Sequence, residues 1–294
     1  WRQGITPVSM PKRKQAESRG PSACCVCLTP EMNEPLLEQV GNRDGLSKCL
    51  AGRRAVHLTD LHLDRYHPRH DRIVDTVSEL RPDWIFITGD LLNVPEGLPH
   101  LFRFLERLRA VAPVYMTLGN HDHYSGVGVA QFVELADRHK ITLLMNQSAR
   151  LSTGMGELVI VGVDDPSLHR ADLRCVPART DRRYILLLAH APNILDYVEA
   201  HHEIDLILCG HSHGGQWRVP GIPTFWLPPG CNGRVDGWHE SGRHRLYVNR
   251  GLGWSFLPFR LNCRPEIAVI ESLLHTSFSA SAIQYVSISS CRSV

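Results

Sequence analysis

Five short clusters in this sequence carry side chains able to do metal chemistry. They are Asp60 and His62 in "TDLH", Asp90 in "TGD", Asn120, His121 and Asp122 in "GNHD", His190 in "LAH", and His211 and His213 in "GHSH". Carboxylate, imidazole and amide oxygen together suit divalent Mn, Fe or Zn, and no thiolate is offered beside them. A carboxylate has two oxygens and can bridge two ions. Two ions about 4 Å apart can clamp a phosphoryl group and hold a bridging water whose pKa falls toward ~7. Any one cluster alone reads as a turn, a cap or a hydrogen-bonded histidine. Asp164 and Asp165, followed by Pro166, are read that way. The five together, drawn from three residue types in one setting, read as a two-metal site. The 17 histidines in the chain point in the same direction.

The shared setting is the exit of a short apolar run. "RAVHLTDLH", "DWIFITGD", "VYMTLGNHD", "LVIVGVDD", "YILLLAH" and "IDLILCGHSH" each run apolar and stop at Gly, Asp, Asn or His. Such runs read as buried strands. Stretches at helical spacing lie between several of them: Ile73, Val77 and Leu80, then Leu101, Leu105 and Leu108, then Phe132, Leu135 and Ala136. Strand and helix in alternation predict an α/β layered domain, with the site beyond the C-terminal strand ends. Glycines at those ends let backbone and ligand approach closely.

Composition narrows the function classes. A formal net charge of +2 gives no argument for nucleic acid as a partner. No apolar run reaches the roughly 18 residues of a membrane span. The nine cysteines include a cluster at Cys24, Cys25 and Cys27 but no second pair at zinc-site spacing, and scattered thiols suit a reducing compartment. Residues 1–50 show no repeated apolar face and are expected to be a disordered or peripheral extension. Residues 51–272 are expected to form the domain, and the serine-rich 273–294 a peripheral tail.

"DLH", "GD", "GNHD", a lone His after a strand and "GHSH", in that order, resemble the calcineurin-like metallophosphoesterase family. The resemblance covers roughly Arg53 to Glu271. "GHSHGGQ", "YVNRGLG" and "RPEIAVI" further resemble a bacterial subgroup of phosphodiesterases and UDP-diacylglucosamine pyrophosphatases. The resemblance implies a four-layer α/β/β/α sandwich, two β-sheets flanked by helices. It implies that Asp60, His62 and His213 hold one metal, that Asn120, His190 and His211 hold the other, and that Asp90 bridges both. It implies that His121 serves the leaving group and that Asp122 orients His121. His57, His67 and His123 match no ligand position and are expected to be structural or surface residues. Purple acid phosphatases of this superfamily carry a Tyr three residues after the bridging Asp. Asn93 stands there, so no tyrosinate colour is expected.

The expected activity is hydrolysis of a phosphodiester or pyrophosphate bond, with two divalent ions as cofactor and Mn the choice in vitro. A phosphomonoesterase on the same site is one alternative, and a scaffold that kept the fold without the chemistry is another. The complete ligand set with His121 favours an enzyme. The expected substrate is a small or lipid-linked phosphodiester, with no nucleic acid and no obligate protein partner. The expected location is cytoplasmic, with peripheral contact at the inner membrane face. In the C-terminal third, Trp217, Trp226, Trp238 and Trp254 with Arg218, Arg234 and Arg250 read either as core and solvated residues or as an aromatic, cationic substrate wall.

Overall fold

A computed structural model of the chain describes residues 36–41, 53–153, 156–178, 180, 183–224, 226–255 and 257–271. Twelve strands among them divide between two sheets of six. The first sheet has the order β1 (Leu36–Gly41), β12 (Glu266–Glu271), β2 (Arg54–Leu58), β3 (Trp84–Thr88), β4 (Val114–Thr117) and β5 (Thr142–Leu143). The second has the order β10 (Gly237–Ser241), β11 (His244–Val248), β9 (Leu206–Cys209), β8 (Arg183–Leu188), β7 (Glu157–Gly162) and β6 (Gln147–Ser152). From β2 to β5 the pairing is parallel, and so it is from β7 through β8 and β9 to β11.

These central strands are buried on both faces, which is why their sequences read as apolar runs rather than alternations. In β3, Ile85 and Ile87 face the helices while Trp84 and Phe86 face the other sheet. In β8, Tyr184, Leu186 and Leu188 face inward, and Ile185 and Leu187 face the outer layer. The space between the sheets is therefore filled by large side chains, Trp84, Phe86, Tyr115, Tyr184 and Tyr247 among them.

Helices α1 (Pro68–Leu80), α2 (Leu98–Val111), α3 (Asn120–Tyr124), α4 (Val129–Arg138) and α5 (Ile194–Tyr197) complete the layers. The predicted apolar faces of α1, α2 and α4 lie on the first sheet. Leu101, Leu105 and Leu108 are fully buried, as are Phe132 and Ala136, while Leu80 and Leu135 are partly buried against the same core. The outer face of the second sheet carries a thinner cover, made by the single-turn α5 and by short 3₁₀ turns at Pro166–Leu168 and Leu173–Cys175. The α/β/β/α order expected from the sequence is present, with its fourth layer reduced.

One expectation for the N-terminal stretch needs correction. Leu36–Gly41 lies inside the segment read as an extension, yet it pairs in parallel with β12 over six residues. An edge strand is held by backbone hydrogen bonds on one side only, so it needs no alternating pattern to betray it. The rest of residues 1–50, the cysteine cluster there, and the tail 273–294 lie outside the described residues. Among the described residues, Cys175, Cys209, Cys231 and Cys263 are free thiols. No helix among the described residues is long and apolar enough to cross a membrane.

Candidate metal centre

The C-terminal ends of β2, β3 and β4 in one sheet and of β8 and β9 in the other meet at one edge of the sandwich. Two groups of potential ligands lie there. Asp60, His62, Asp90 and His213 form one, and Asp90, His190 and His211 form the other, with ligand atoms in each group within 4.8 Å of one another. All six residues are buried. Asp90 belongs to both groups. Among the described residues, no carboxylate or imidazole outside the sequence-predicted set joins either group.

The backbone bends sharply to bring them in. Asp60, His62, Asp90, His211 and His213 all have positive φ, between 43° and 71°. Non-glycine residues avoid this region, and clustered outliers of this kind mark functional sites. The glycines around them have a steric task. A Cβ on Gly89, itself at φ 79°, would stand 2.6 Å from the backbone nitrogen of Gly119, and one on Gly119 would collide with the Asp90 carboxylate. The two strand exits can approach only because neither residue has a side chain.

Three of the four imidazoles are oriented by a partner on the far side. His190 Nδ1 donates to the Thr88 carbonyl at 2.8 Å, and His211 Nε2 donates to the Pro229 carbonyl at 2.7 Å. A carbonyl only accepts, so these nitrogens carry the proton, and in the neutral rings His190 Nε2 and His211 Nδ1 are bare lone pairs. They face each other at 3.0 Å. Two lone pairs at that distance repel unless a cation, proton or metal ion, lies between them. His62 is fixed in the same way. Asn93 Nδ2 donates to Asp64 Oδ2 at 2.8 Å, which turns Asn93 Oδ1 toward His62 Nδ1, also at 2.8 Å. His62 Nε2 is thereby left to face His213 Nε2 at 3.2 Å and Asp90 Oδ2 at 3.6 Å. Hydrogen bonds of this sort, from the far nitrogen of a ligating histidine, set its tautomer in metal sites.

An orphaned atom fits a cation as well. Asn120 opens α3, and its buried Oδ1 has no hydrogen-bond partner among the described residues. Asn120 sits between two anchored neighbours, since Gly119 N–H donates to Asp122 and His121 N–H donates to Asp90 Oδ1 at 2.9 Å. The electrostatics agree. Burial works to raise the Asp90 carboxyl, but His190, His62 and His121 outweigh it and hold it well below the usual range. Burial pushes Asp60 up to about 7 against the pull of His190. Burial would lower His190, yet Asp90, Asp60 and Asp165 together raise it well above the ordinary imidazole value. The cluster is a buried excess of acceptors that gathers positive charge.

His121 is half-buried and packs edge-on against His62, with ring centroids 4.8 Å apart. Asp122 departs from expectation. It was expected to orient His121, but its buried carboxylate accepts the backbone N–H groups of Leu91 at 2.8 Å, Leu92 at 3.2 Å and Gly119 at 2.8 Å. It ties the β3 exit to the β4 exit, and its oxygens are spent on that task. A carboxylate beside three strand-exit amides satisfies them before it can reach a neighbouring ring.

The histidines set aside in the sequence have structural partners. His57 Nε2 meets Thr88 Oγ1 at 2.8 Å, His67 caps α1, and His123 pairs with Asp164 at 2.6 Å. Asp165 caps the turn at Pro166–Leu168. The cationic wall sought in the C-terminal third is elsewhere. Arg218 and Arg250 both pair with Asp236, at 2.9 and 2.7 Å, and Arg234 pairs with Asp196. The four tryptophans are half-buried, and Trp238 packs against the inter-sheet core. Residues missed in the sequence include Asn93 and Asp64, which position His62. "DLHLD" does offer the second Asp, but only the fold shows what it holds.

The sequence profile of the calcineurin-like phosphoesterase family matches residues 53–215. An uncharacterized metallophosphoesterase, YkuE, of Bacillus subtilis (strain 168) is 32% identical over 225 residues, covering 74% of this chain and 78% of that protein. A phosphodiesterase, YaeI, of Escherichia coli (strain K12) is 33% identical over 224 residues, covering 74% and 81%. A second uncharacterized metallophosphoesterase of Bacillus subtilis (strain 168), YkoQ, is 30% identical over 220 residues, covering 72% and 80%.

Proposed function

This chain belongs to the calcineurin-like phosphoesterase family, and we propose that it is a binuclear metal-dependent hydrolase of phosphodiester or pyrophosphate bonds. The observation that carries the reading is the set of inward lone pairs. His62, His190 and His211 are each fixed from behind, so that a bare nitrogen meets another nitrogen or Asp90 at 3.0–3.6 Å. In this reading Asp60, His62 and His213 hold one ion, and Asn120, His190 and His211 hold the other. Asp90, common to both groups, would serve both ions. Divalent ions bound there would supply Lewis-acid polarisation of the phosphoryl oxygens and an acidified water as nucleophile.

The remaining work falls to the protein. The His121 backbone N–H fixes Asp90 Oδ1, and the His121 ring, half-exposed beside His62, hands a proton to the departing oxygen. Asp122 keeps the two strand exits in register so that Asp90 and Asn120 stay aligned. Mn is the ion expected to support turnover in vitro, since carboxylate, imidazole and amide oxygen all suit it. The printed name of the Escherichia coli relative supports a diesterase. Free buried thiols at Cys209, Cys231 and Cys263 support a reducing, cytoplasmic location.

The test is the ratio of kcat/KM for bis-p-nitrophenyl phosphate to that for p-nitrophenyl phosphate with Mn-loaded protein. A ratio above one is expected. A ratio well below one makes the protein a phosphomonoesterase on the same site. No turnover of either ester, nor of a nucleotide pyrophosphate, with both ions bound makes it a scaffold.

A further inference from the structure

A cavity of about 480 Å³ opens beside the centre on the His62 side, between the start of α1 and the chain that follows β11. Its lining joins the apolar Ile73, Leu252, Pro258 and Pro265 to a cationic set, Arg65, Arg69, Arg72 and Arg260, of which Arg69 and Arg260 reach deepest into the fold. Arg260 is 6% exposed. Its donors go to backbone carbonyls, from Nε and Nη2 to Gly253 at 2.9 and 2.6 Å and from Nη1 to His213 at 3.1 Å. Arg69 lies flat over Trp254, its guanidinium carbon 3.8 Å from the ring centroid, and gives only Nε to a described partner, His70.

Neither guanidinium has a carboxylate within ion-pair distance among the described residues. Asp64, the one acid on the cavity wall, is committed to Asn93 and Val94. Burial and then the charge of Arg260 pull the Arg69 guanidinium down to about 10, so the two cations sense each other. Arg260 is buried and Arg69 half-buried, and holding two such cations together with no carboxylate in ion-pair reach is costly unless an anion offsets the cost. Arginine over an aromatic ring also suits planar recognition of a carboxylate or phosphate.

We propose that this cavity receives one arm of the substrate, and that this arm carries a second anionic group, carboxylate or phosphate, on an apolar or ring-bearing body. The inference rests on the hydrolase reading above. The scissile phosphorus lies at the centre, the arm passes His62, its body packs on Leu252 and Trp254, and its anion sits between Arg69 and Arg260.

Binding and turnover test this separately. The binding probes are two non-hydrolysable diester mimics, methyl(benzyl)phosphinate and methyl(4-carboxybenzyl)phosphinate, titrated calorimetrically into Mn-loaded protein. The carboxylated probe is expected to bind about ten- to hundredfold more tightly, the scale of a charge-assisted hydrogen bond. Arg69→Gln is expected to remove that preference, bringing the affinities of the two probes together. Arg138→Gln, on an exposed ion pair of α4, is the charge control and keeps the preference. Equal affinities in the unaltered protein, no binding of either probe, or a preference that survives Arg69→Gln would each overturn the proposal. Turnover of p-nitrophenyl phenyl phosphate and its 4-carboxyphenyl counterpart reads the other question. Hydrolysis of both at equal kcat/KM sinks this inference alone. An Arg69-dependent binding preference without hydrolysis keeps the cavity assignment and sinks the hydrolase reading.

Discussion

Asn93→Ala isolates the claim that imidazole orientation builds the metal centre. Of the three far-side partners, those of His190 and His211 are backbone carbonyls that no substitution removes; His62 alone is held by a side chain. The substitution deletes the 2.8 Å bond to His62 Nδ1 and frees the ring to rotate or change tautomer. Loss of such a partner weakens metal binding by about 10–100-fold, or about 1.4–2.7 kcal/mol. The cost to folding is smaller. Asp64 loses one donor but keeps the backbone N–H groups of Asn93 at 2.7 Å and Val94 at 3.3 Å, so the fold should lose about 1 kcal/mol. The assay is calorimetric titration of metal-free protein with Mn, checked by circular dichroism for an intact fold. The expected result is one ion weakened by that factor and one unchanged. Equal weakening of both ions, or no change in either, would refute the reasoning.

His121→Ala should lower kcat by about 100-fold or more with metal content intact by elemental analysis; loss of an ion would place this residue among the ligands. Asp90→Asn should reduce occupancy of both ions, whereas His62→Ala should chiefly reduce one, and an active Asp90→Asn protein with two ions would end the bridging assignment. Asp122→Asn should destabilise the protein by about 2–3 kcal/mol in urea unfolding, because an amide cannot accept all three N–H groups. Unchanged stability with an altered pH–rate profile would return Asp122 to the role of orienting His121. Removal of residues 1–48 should keep turnover but lower the melting temperature by at least about 2–4 °C, since it strips β1 from β12; an unchanged melting temperature would show that the strand adds nothing.

The site was legible where chemistry and fold coincide. Asp60, Asp90, His190 and His211 each follow an apolar run, and strands buried on both faces leave such runs unbroken, so the strand exits announced themselves. The same property hid the sheet arrangement. Apolar runs alike on both faces give no sign of which sheet a strand joins, and β12 returns from the C-terminal end to pair with β2 in the first sheet. β1 was invisible because one-sided pairing imposes no pattern. Asp122 misled because adjacency to His121 in sequence suggested contact, while its backbone partners lie 30 residues away at Leu91 and Leu92. Arg69 and Trp254 are far apart in the chain, and nothing local marks them as stacked. Arg218 and Arg250 looked free because Asp236, which holds both, is an unremarkable loop acid.

The two clusters also draw on both sheets. Asp60, His62, Asp90 and Asn120 leave the first, and His190, His211 and His213 leave the second. Along most of their length the sheets adhere through large apolar rings, but at this edge imidazoles and carboxylates face one another across the seam. Cohesion there depends on what lies between the facing groups: Asp90 and His190 attract across the seam at 3.2 Å, while His62 Nε2 and His213 Nε2 face each other at 3.2 Å and would be drawn together by a cation. Under the proposed hydrolase reading the centre would be a rivet as well as a reaction site, and this edge the place where the metal-free sandwich would gape first.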